Sequence, residues 1–439
     1  MKMGFIACVA MAAMIAACDS PLDTNPTASI DADDALTTPR GIQLGVTGAY
    51  QSLQSGSLWS RDHIVYPDLY ADNLDFTGTF QTDRSVSLRD VPASSGVVTG
   101  LWTAAYRGIN RANNVLAAIP DVSGLTSAEA AQYRGEALFI RALHYSALLS
   151  WFGGVPIVTD PARGVGEESL VARSTAAEVY TFIEQELEEA ATLLPGAAVE
   201  GRASQGSANA LLARVYLEEG KYTEARDKAT VVLAAGYSLV PDYGEIFTSK
   251  NSSESIFELQ YSLNNQNSLA FWYFTQALGG RWGFAPSQDL INAYEAGDTR
   301  LAASVALSGA DRYGNKFFRI ANGDDNVVVL RLAEVYLIRA EANARLNADP
   351  AVVRADIDVV RDRAGLGAVS AGITSQTDLL NAILQERRVE LAMEGHRFFD
   401  LRRHGRAEAL LNMPANRLVF PIPQAERDVN PNLAQNPGY

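Results

Sequence analysis

Cysteine is nearly absent from this chain of 439 residues: there are two, Cys8 and Cys18. That excludes a disulfide-stapled fold. Basic side chains are outnumbered, 36 Lys and Arg against 51 Asp and Glu, giving a net charge of −15. A nucleic-acid binder needs a basic footprint for the phosphates, so that class is excluded too. Beyond the first twenty residues there is no long apolar run, which excludes a polytopic membrane protein. Gly-x-Ser-x-Gly, His-Glu-x-x-His and Gly-x-x-x-x-Gly-Lys patterns are all missing. What remains is an acidic chain with 47% hydrophobic and 9% aromatic residues, too rich in both to be disordered and long enough for a large core.

The N-terminus has the layout of an export signal. Lys2 precedes Met3 to Ala17, an almost wholly apolar stretch too short to span a bilayer. It ends in Ile15-Ala16-Ala17-Cys18, which resembles the lipobox of bacterial lipoproteins. That resemblance implies a signal peptide over residues 1–17 and acylation of Cys18, with a polar tether and N-terminal segment over 18–40. Cys8 leaves with the signal, so Cys18 has no partner for an internal bridge.

The rest reads as helices with loop-rich insertions, in an N-terminal region over 41–235 and a C-terminal region over 236–439. Apolar periodicity predicts helices over 41–55, 101–119, 127–151, 175–194, 207–220, 222–235, 327–347, 350–364 and 375–404, the last as one helix or two. Residues 56–100 and 236–325 lack that period and read as irregular, rich in Gly, Ser, Asn and aromatics. The tail 412–439 holds five prolines and reads as extended chain. Leu212-Ala213, Tyr216, Gly220, Tyr222 and Ala225 match the spacing of a tetratricopeptide unit, echoed by Leu332-Ala333, Tyr336 and Ala340 and by Arg141-Ala142 and Tyr145. The fold class expected is therefore mostly α, a tetratricopeptide-like scaffold of helix pairs carrying loop-rich insertions.

Three blocks carry a family resemblance. Glu386 to Arg403 reads ERRVELAMEGHRFFDLRR; Phe139 to Leu143 leads into Trp151-Phe152-Gly153-Gly154-Val155-Pro156; and the tail holds Phe420-Pro421-Ile422-Pro423, Asn430-Pro431-Asn432-Leu433 and Gln435-Asn436-Pro437-Gly438-Tyr439. With the lipobox, the chain resembles the SusD/RagB family of outer-membrane nutrient-binding lipoproteins from end to end. The resemblance implies a protein lipid-anchored at the outer membrane and exposed to the exterior. It implies a SusC-like TonB-dependent transporter as partner, an oligosaccharide or, in some branches, a peptide as ligand, and neither catalysis nor cofactor.

Glu386, Glu390 and Glu394 share a helix face, but Arg387 with Glu390, Glu394 with Arg397 and Arg397 with Asp400 stand at the i,i+3 spacing of surface ion pairs. We read this segment as a solvated structural face, docked by Leu384, Leu391 and Phe398, with Gly395 admitting a close neighbour. His396 and His404 with Asp400 are a poor start for a metal site, and Asn322 to Asn326 reads as a turn. Two aromatic windows matter more. Residues 271–284 hold Phe271, Trp272, Tyr273, Phe274, Trp282 and Phe284, in a Gly- and Asn-rich setting. Trp59, Tyr66, Tyr70, Phe76 and Phe80 lie among Asp68, Asp72, Asn73 and Asp75. Sugars stack their C–H faces on exposed rings while amides and acids bind the hydroxyls. The candidate ligand-binding residues are Trp59, Tyr66, Asp72, Asn73, Phe76, Phe80, Trp272, Tyr273, Trp282 and Phe284; Trp102 and Trp151 are assigned to the core. Two rival functions stand beside capture of a sugar: a glycoside hydrolase using an acid pair such as Asp72 and Asp289, and a repeat adaptor for peptides.

Overall fold

Local chemistry fixes the helix ends. Thr126 with Glu129, and Thr175 with Glu178, form capping boxes in which each hydroxyl accepts from the third backbone N–H and each carboxylate accepts from the capping residue's N–H. Each such cap is worth about 1 kcal/mol. Gly220, at φ +90°, ends one repeat helix and turns directly into the next. The computed structural model describes residues 32–439 apart from 165, 167–169 and 198. The expected signal peptide and Cys18 lie outside the described residues.

The main elements in order are α1 (Pro39–Leu53), α2 (Asp62–Tyr70), β1 (Leu74–Phe76), α3 (Gln81–Ser87), α4 (Gly96–Ala118), α5 (Ser127–Phe152), α6 (Ala176–Leu193), α7 (Gln205–Glu219), α8 (Tyr222–Leu233), β2 (Ser255–Leu259), α9 (Leu269–Tyr273), β3 (Phe284–Pro286), α10 (Gln288–Ala293), β4 (Val305–Ser308), β5 (Asp311–Gly314), β6 (Val327–Arg331), α11 (Leu332–Arg345), α12 (Pro350–Arg363), α13 (Gln376–Glu390) and α14 (Arg397–Arg403). Each long helix packs on its successor from α4 to α8, and α8 packs on α11 across the whole insertion. The array then continues through α12 and α13. The fold is mostly α and tetratricopeptide-like, as expected. Ala213 and Ala225, fully buried, are small enough for the helices of the pair to cross closely. The six strands form three separate antiparallel pairs, β1 with β3, β2 with β6 and β4 with β5.

Several expectations need correction. Residues 56–100 are not irregular throughout: α2 and α3 lie there. Eight of the nine α2 residues are buried, so it has no polar face to generate a period. Residues 327–331 form strand β6 rather than the start of a helix, because this β-branched run pairs with β2. The segment 375–404, expected as one helix or two, is two. Met393 at φ +61° and Gly395 at φ +86° break it, and the Asp68 carboxylate accepts from both of their amides, at 3.0 and 3.2 Å. The tail is extended except for two short helical turns, Ala415–Leu418 and Gln424–Val429.

The acids at the end of α13 and in the turn that follows it are not solvated. Glu386, Glu390 and Glu394 are buried against cations from distant parts of the chain. Arg300 reaches Glu386 at 2.5 Å and Glu390 at 2.9 Å. Arg331 reaches Glu254, Glu390 and Glu394 at 3.1, 2.5 and 2.7 Å. Lys316 reaches Glu394 at 2.7 Å. Burial opposes ionisation of Glu390, but Arg363, Arg331 and Arg300 outweigh it and hold its carboxyl well below the ordinary range. Arg397 turns away to Asp72, and Arg387 pairs with Asp400 at 2.9 Å. The expected i,i+3 pairs therefore give way to long-range ones that clamp the insertion onto the repeats. The structural role stands; the surface location does not.

Candidate functional site

The two aromatic windows, far apart in sequence, meet through β1 and β3. Their register sets Leu74 against Pro286, Asp75 against Ala285 and Phe76 against Phe284. The amides of Thr77 and Gly78 both donate to the Gly283 carbonyl, at 3.0 and 3.1 Å, and extend the pairing to the loop tips. Above this ribbon lies a cluster of rings. Trp272 contacts Phe80, Phe271 and Phe284 with centroids 5.7, 5.9 and 5.9 Å apart. Phe80 is 46% exposed and Phe271 43%, whereas Trp272, Trp282 and Phe76 are half-buried.

The ring of Trp272 is held rigidly. The Arg61 guanidinium carbon sits 3.9 Å from its centroid. Gly283 lies against the same ring, where a β-carbon would come within 2.8 Å. Arg61 is in turn fixed by Asp83 at 2.5 Å, and the same Asp83 oxygen accepts from the Tyr66 hydroxyl at 2.7 Å. Asp62 is the surplus carboxyl here, 3.4 Å from Arg61. Burial pushes Asp62 up to about 7; Arg61 opposes the shift and Asp83 adds to it. Trp282 takes positive φ, +52°, and its indole donates to the Arg312 carbonyl at 2.9 Å.

Of the ten residues expected at the site, the structure brings Phe76, Phe80, Trp272 and Trp282 to or near one surface. Trp59, Tyr66, Asn73, Tyr273 and Phe284 are buried. Tyr66, Tyr273 and Phe284 pack beneath the cluster, Tyr273 against Phe317 and Phe284 against Trp272. Trp59 lies apart, next to His63 and His144. Asn73 donates to Asp68 at 2.7 Å and accepts from Arg388 at 3.0 Å. Asp72 is held by Arg397 at 2.7 and 2.8 Å and by Arg388 at 3.2 Å. Burial opposes ionisation of Asp72, but Arg397 and Arg388 outweigh it and lower its pKa. A carboxyl so held is a poor general acid near neutral pH.

Arg61, Arg281 and Phe271 complete the cluster. Phe271 stands in the aromatic window itself, and Arg281 is its only charged residue; nothing local marks Arg61, whose role depends on α2 packing under the insertion.

Through Phe76 the cluster adjoins an open groove of about 670 Å³ lined also by Asp72, Asp75, Arg84, Arg89 and Asp289. An internal cavity between Trp59, His63, Arg214 and His396 holds about 60 Å³, room for water but not for a sugar. Among the described residues no three His, Cys, Asp or Glu side chains are grouped to hold a metal ion. No helix among them is long and apolar enough to cross a membrane.

Comparison with known proteins places the chain. The family described as "SusD family" matches residues 308–418, and the one described as "Starch-binding associating with outer membrane" matches 22–217. A SusD-like protein of Formosa agariphila is 27% identical, with 96% of each chain covered. The starch-binding protein SusD of Bacteroides thetaiotaomicron is 24% identical over 73% of this chain and 75% of its own. A solved structure described as a laminarin-binding SusD-like protein superposes with TM-score 0.82 at 28% identity, covering 92% of this chain and all of that one. The protein belongs to the SusD/RagB family.

Proposed function

We propose that this protein captures oligosaccharides at the outer membrane and passes them to a SusC-like TonB-dependent transporter, without altering a covalent bond in them. The observation that carries the reading is the pair of exposed rings, Phe80 and Phe271, held at fixed spacing around Trp272 beside the Phe76 groove. Aromatic rings rarely stay exposed in the middle of a rigid, well-packed insertion unless something covers them. A sugar's C–H face is a fitting cover. Starch and laminarin binding among relatives supports a glycan as the ligand class. Phe76, Phe80, Phe271, Trp272 and Trp282 are the contact residues in this reading. Tyr66, Tyr273 and Phe284 hold the cluster from beneath. Cys18 is the lipid attachment point that keeps the protein at the membrane.

Calorimetric titration of the soluble chain with a panel of starch, laminarin and other oligosaccharides tests this. Binding without appearance of cleavage products is expected. The double variant Phe80→Ala, Phe271→Ala should lose at least about ten-fold in affinity while keeping its melting temperature, since both rings are exposed. Cleavage of a bound glycan, or unchanged affinity in the double variant, would count against it.

A further inference from the structure

The pair of rings at the centre of the cluster carries a cation at each end. Arg61 lies over Trp272, Trp272 meets Phe80 edge-on, and Arg281 lies over Phe80 with its guanidinium carbon 4.8 Å from the centroid. The two arginines differ in one respect. The inner cation is neutralised by Asp83 at 2.5 Å, with Asp62 at 3.4 Å. The outer one has no carboxylate partner among the described residues; its side chain makes one long hydrogen bond, to the Thr79 hydroxyl at 3.4 Å. Residues 271–284 contain no acid, and the single acid of 76–84, Asp83, is buried and already claimed. Arg312, on the neighbouring strand β5, is by contrast paired with Asp75 at 3.1 Å. Arg281 is thus an exposed arginine with no carboxylate partner among the described residues, set on an aromatic face.

Resting on the glycan-binding reading above, we propose that the ligand is an anionic oligosaccharide, with a carboxylate or sulfate substituent that is received by Arg281. Arg281 covers one face of Phe80, so a sugar that packs beside it on the exposed Phe80–Phe271 surface brings its ring substituents within reach of the guanidinium. Arg offers two parallel N–H donors to a carboxylate or sulfate, and such bonds are stronger than neutral ones. Contact with Phe80 restricts the guanidinium in advance, so less side-chain freedom is lost on binding. No proton or bond changes hands; the step is association alone.

The test compares each charged ligand with its own neutralised form. Oligogalacturonate is titrated against its methyl ester, and a sulfated galacto-oligosaccharide against its desulfated counterpart, with the wild-type chain and with Arg281→Gln. For at least one pair the charged form should bind about ten-fold tighter at low ionic strength. Added salt should shrink that ratio, and Arg281→Gln should bring it close to one by weakening the charged form more than the neutral one. The carboxylate and sulfate arms then tell the two anions apart. Equal binding of charged and neutral forms, or a charge preference that survives Arg281→Gln, overturns the anionic assignment and leaves the glycan reading intact. Binding of neutral glucans alone does the same. Failure of every oligosaccharide, neutral and charged, overturns both.

Discussion

The Phe420 amide donates to the Trp151 carbonyl at 2.6 Å, and the two rings stack with centroids 4.4 Å apart. This contact joins the end of α5 to the C-terminal tail. Phe398 and Phe399 of α14 close on the same indole at 6.3 and 5.0 Å. The three sequence blocks that resemble the SusD/RagB family thus converge on one buried aromatic centre. They are conspicuous because they close the scaffold, and they leave the ligand face to other segments.

Phe420→Ala should therefore cost about 3–5 kcal/mol, the usual range for removing a buried phenylalanine. The expected reading is a clear fall in melting temperature by circular dichroism. A variant melting within a degree or two of wild type would show that the tail is docked by its hydrogen bonds alone, such as those from the Asn436 side-chain amide to the Phe152 and Phe420 carbonyls at 3.0 and 2.6 Å.

Gly395→Ala should be more damaging than its single methyl suggests. The residue sits at φ +86°, and a β-carbon there would lie 2.5 Å from the His63 carbonyl oxygen. Strain and collision act together, so a loss of at least about 2 kcal/mol is expected. Gly56, with open space around it, is the control: its alanine variant should melt close to wild type.

Sequence periodicity revealed helices that are apolar on one side, as in Ile42, Val46, Ala49 and Leu53 of α1, while α7, buried nearly all round, was marked by its length and its tetratricopeptide spacing. Periodicity failed in the short buried segments. Residues 62–70 have no polar stripe, so α2 was invisible, and the apolar run 327–331 looked like helix when its partner was β2. The acids at the end of α13 and in the turn after it read as a solvated face because their cations, Arg300, Lys316 and Arg331, come from other elements. At the candidate site the two windows were legible from composition. Which rings face outward was not, since that depends on the β1–β3 register and on where Arg61 lands.

The buried ion cluster predicts a sharp contrast between two arginines. Arg331→Met leaves Glu254, Glu390 and Glu394 short of a counter-charge in the interior. Breaking one partner of a buried pair costs about 3–5 kcal/mol, so this variant should melt far below wild type or fail to accumulate as folded protein. Arg226→Ala removes an exposed pair with Asp227 at 2.8 Å. Its melting temperature should hardly move, as expected for an exposed pair.

The carboxyl at Asp62 should give the molecule an unusual pH response. Its value rises from an ordinary 3.8 to about 7 in the folded chain, through burial first. Between those values the unfolded chain releases the proton and the folded chain keeps it, so stability falls as pH rises from about 4 to 7. Asp68, raised by burial to about 6, acts in the same direction. Histidines oppose this: His63 and His144, lowered by burial to about 3, and His396, lowered to about 4, stay neutral when folded and favour unfolding as pH drops below 6.5. Glu334, held at about 2 because Arg214 and His396 outweigh its burial, adds stability above the unfolded value of 4.5 that is lost as pH falls from there toward 2. Glu184, raised to about 7 by burial and by Glu219, joins the two aspartates, so three carboxyls oppose three histidines and wild-type stability should be nearly flat from about pH 5 to 7 and fall steeply below about 4. Asp62→Asn removes one term only. Its melting temperature relative to wild type should rise between about pH 5 and pH 8. Parallel pH profiles for the two chains would show that Asp62 ionises normally beside Arg61, and that the inner cation of the ring pair is shared evenly between Asp62 and Asp83.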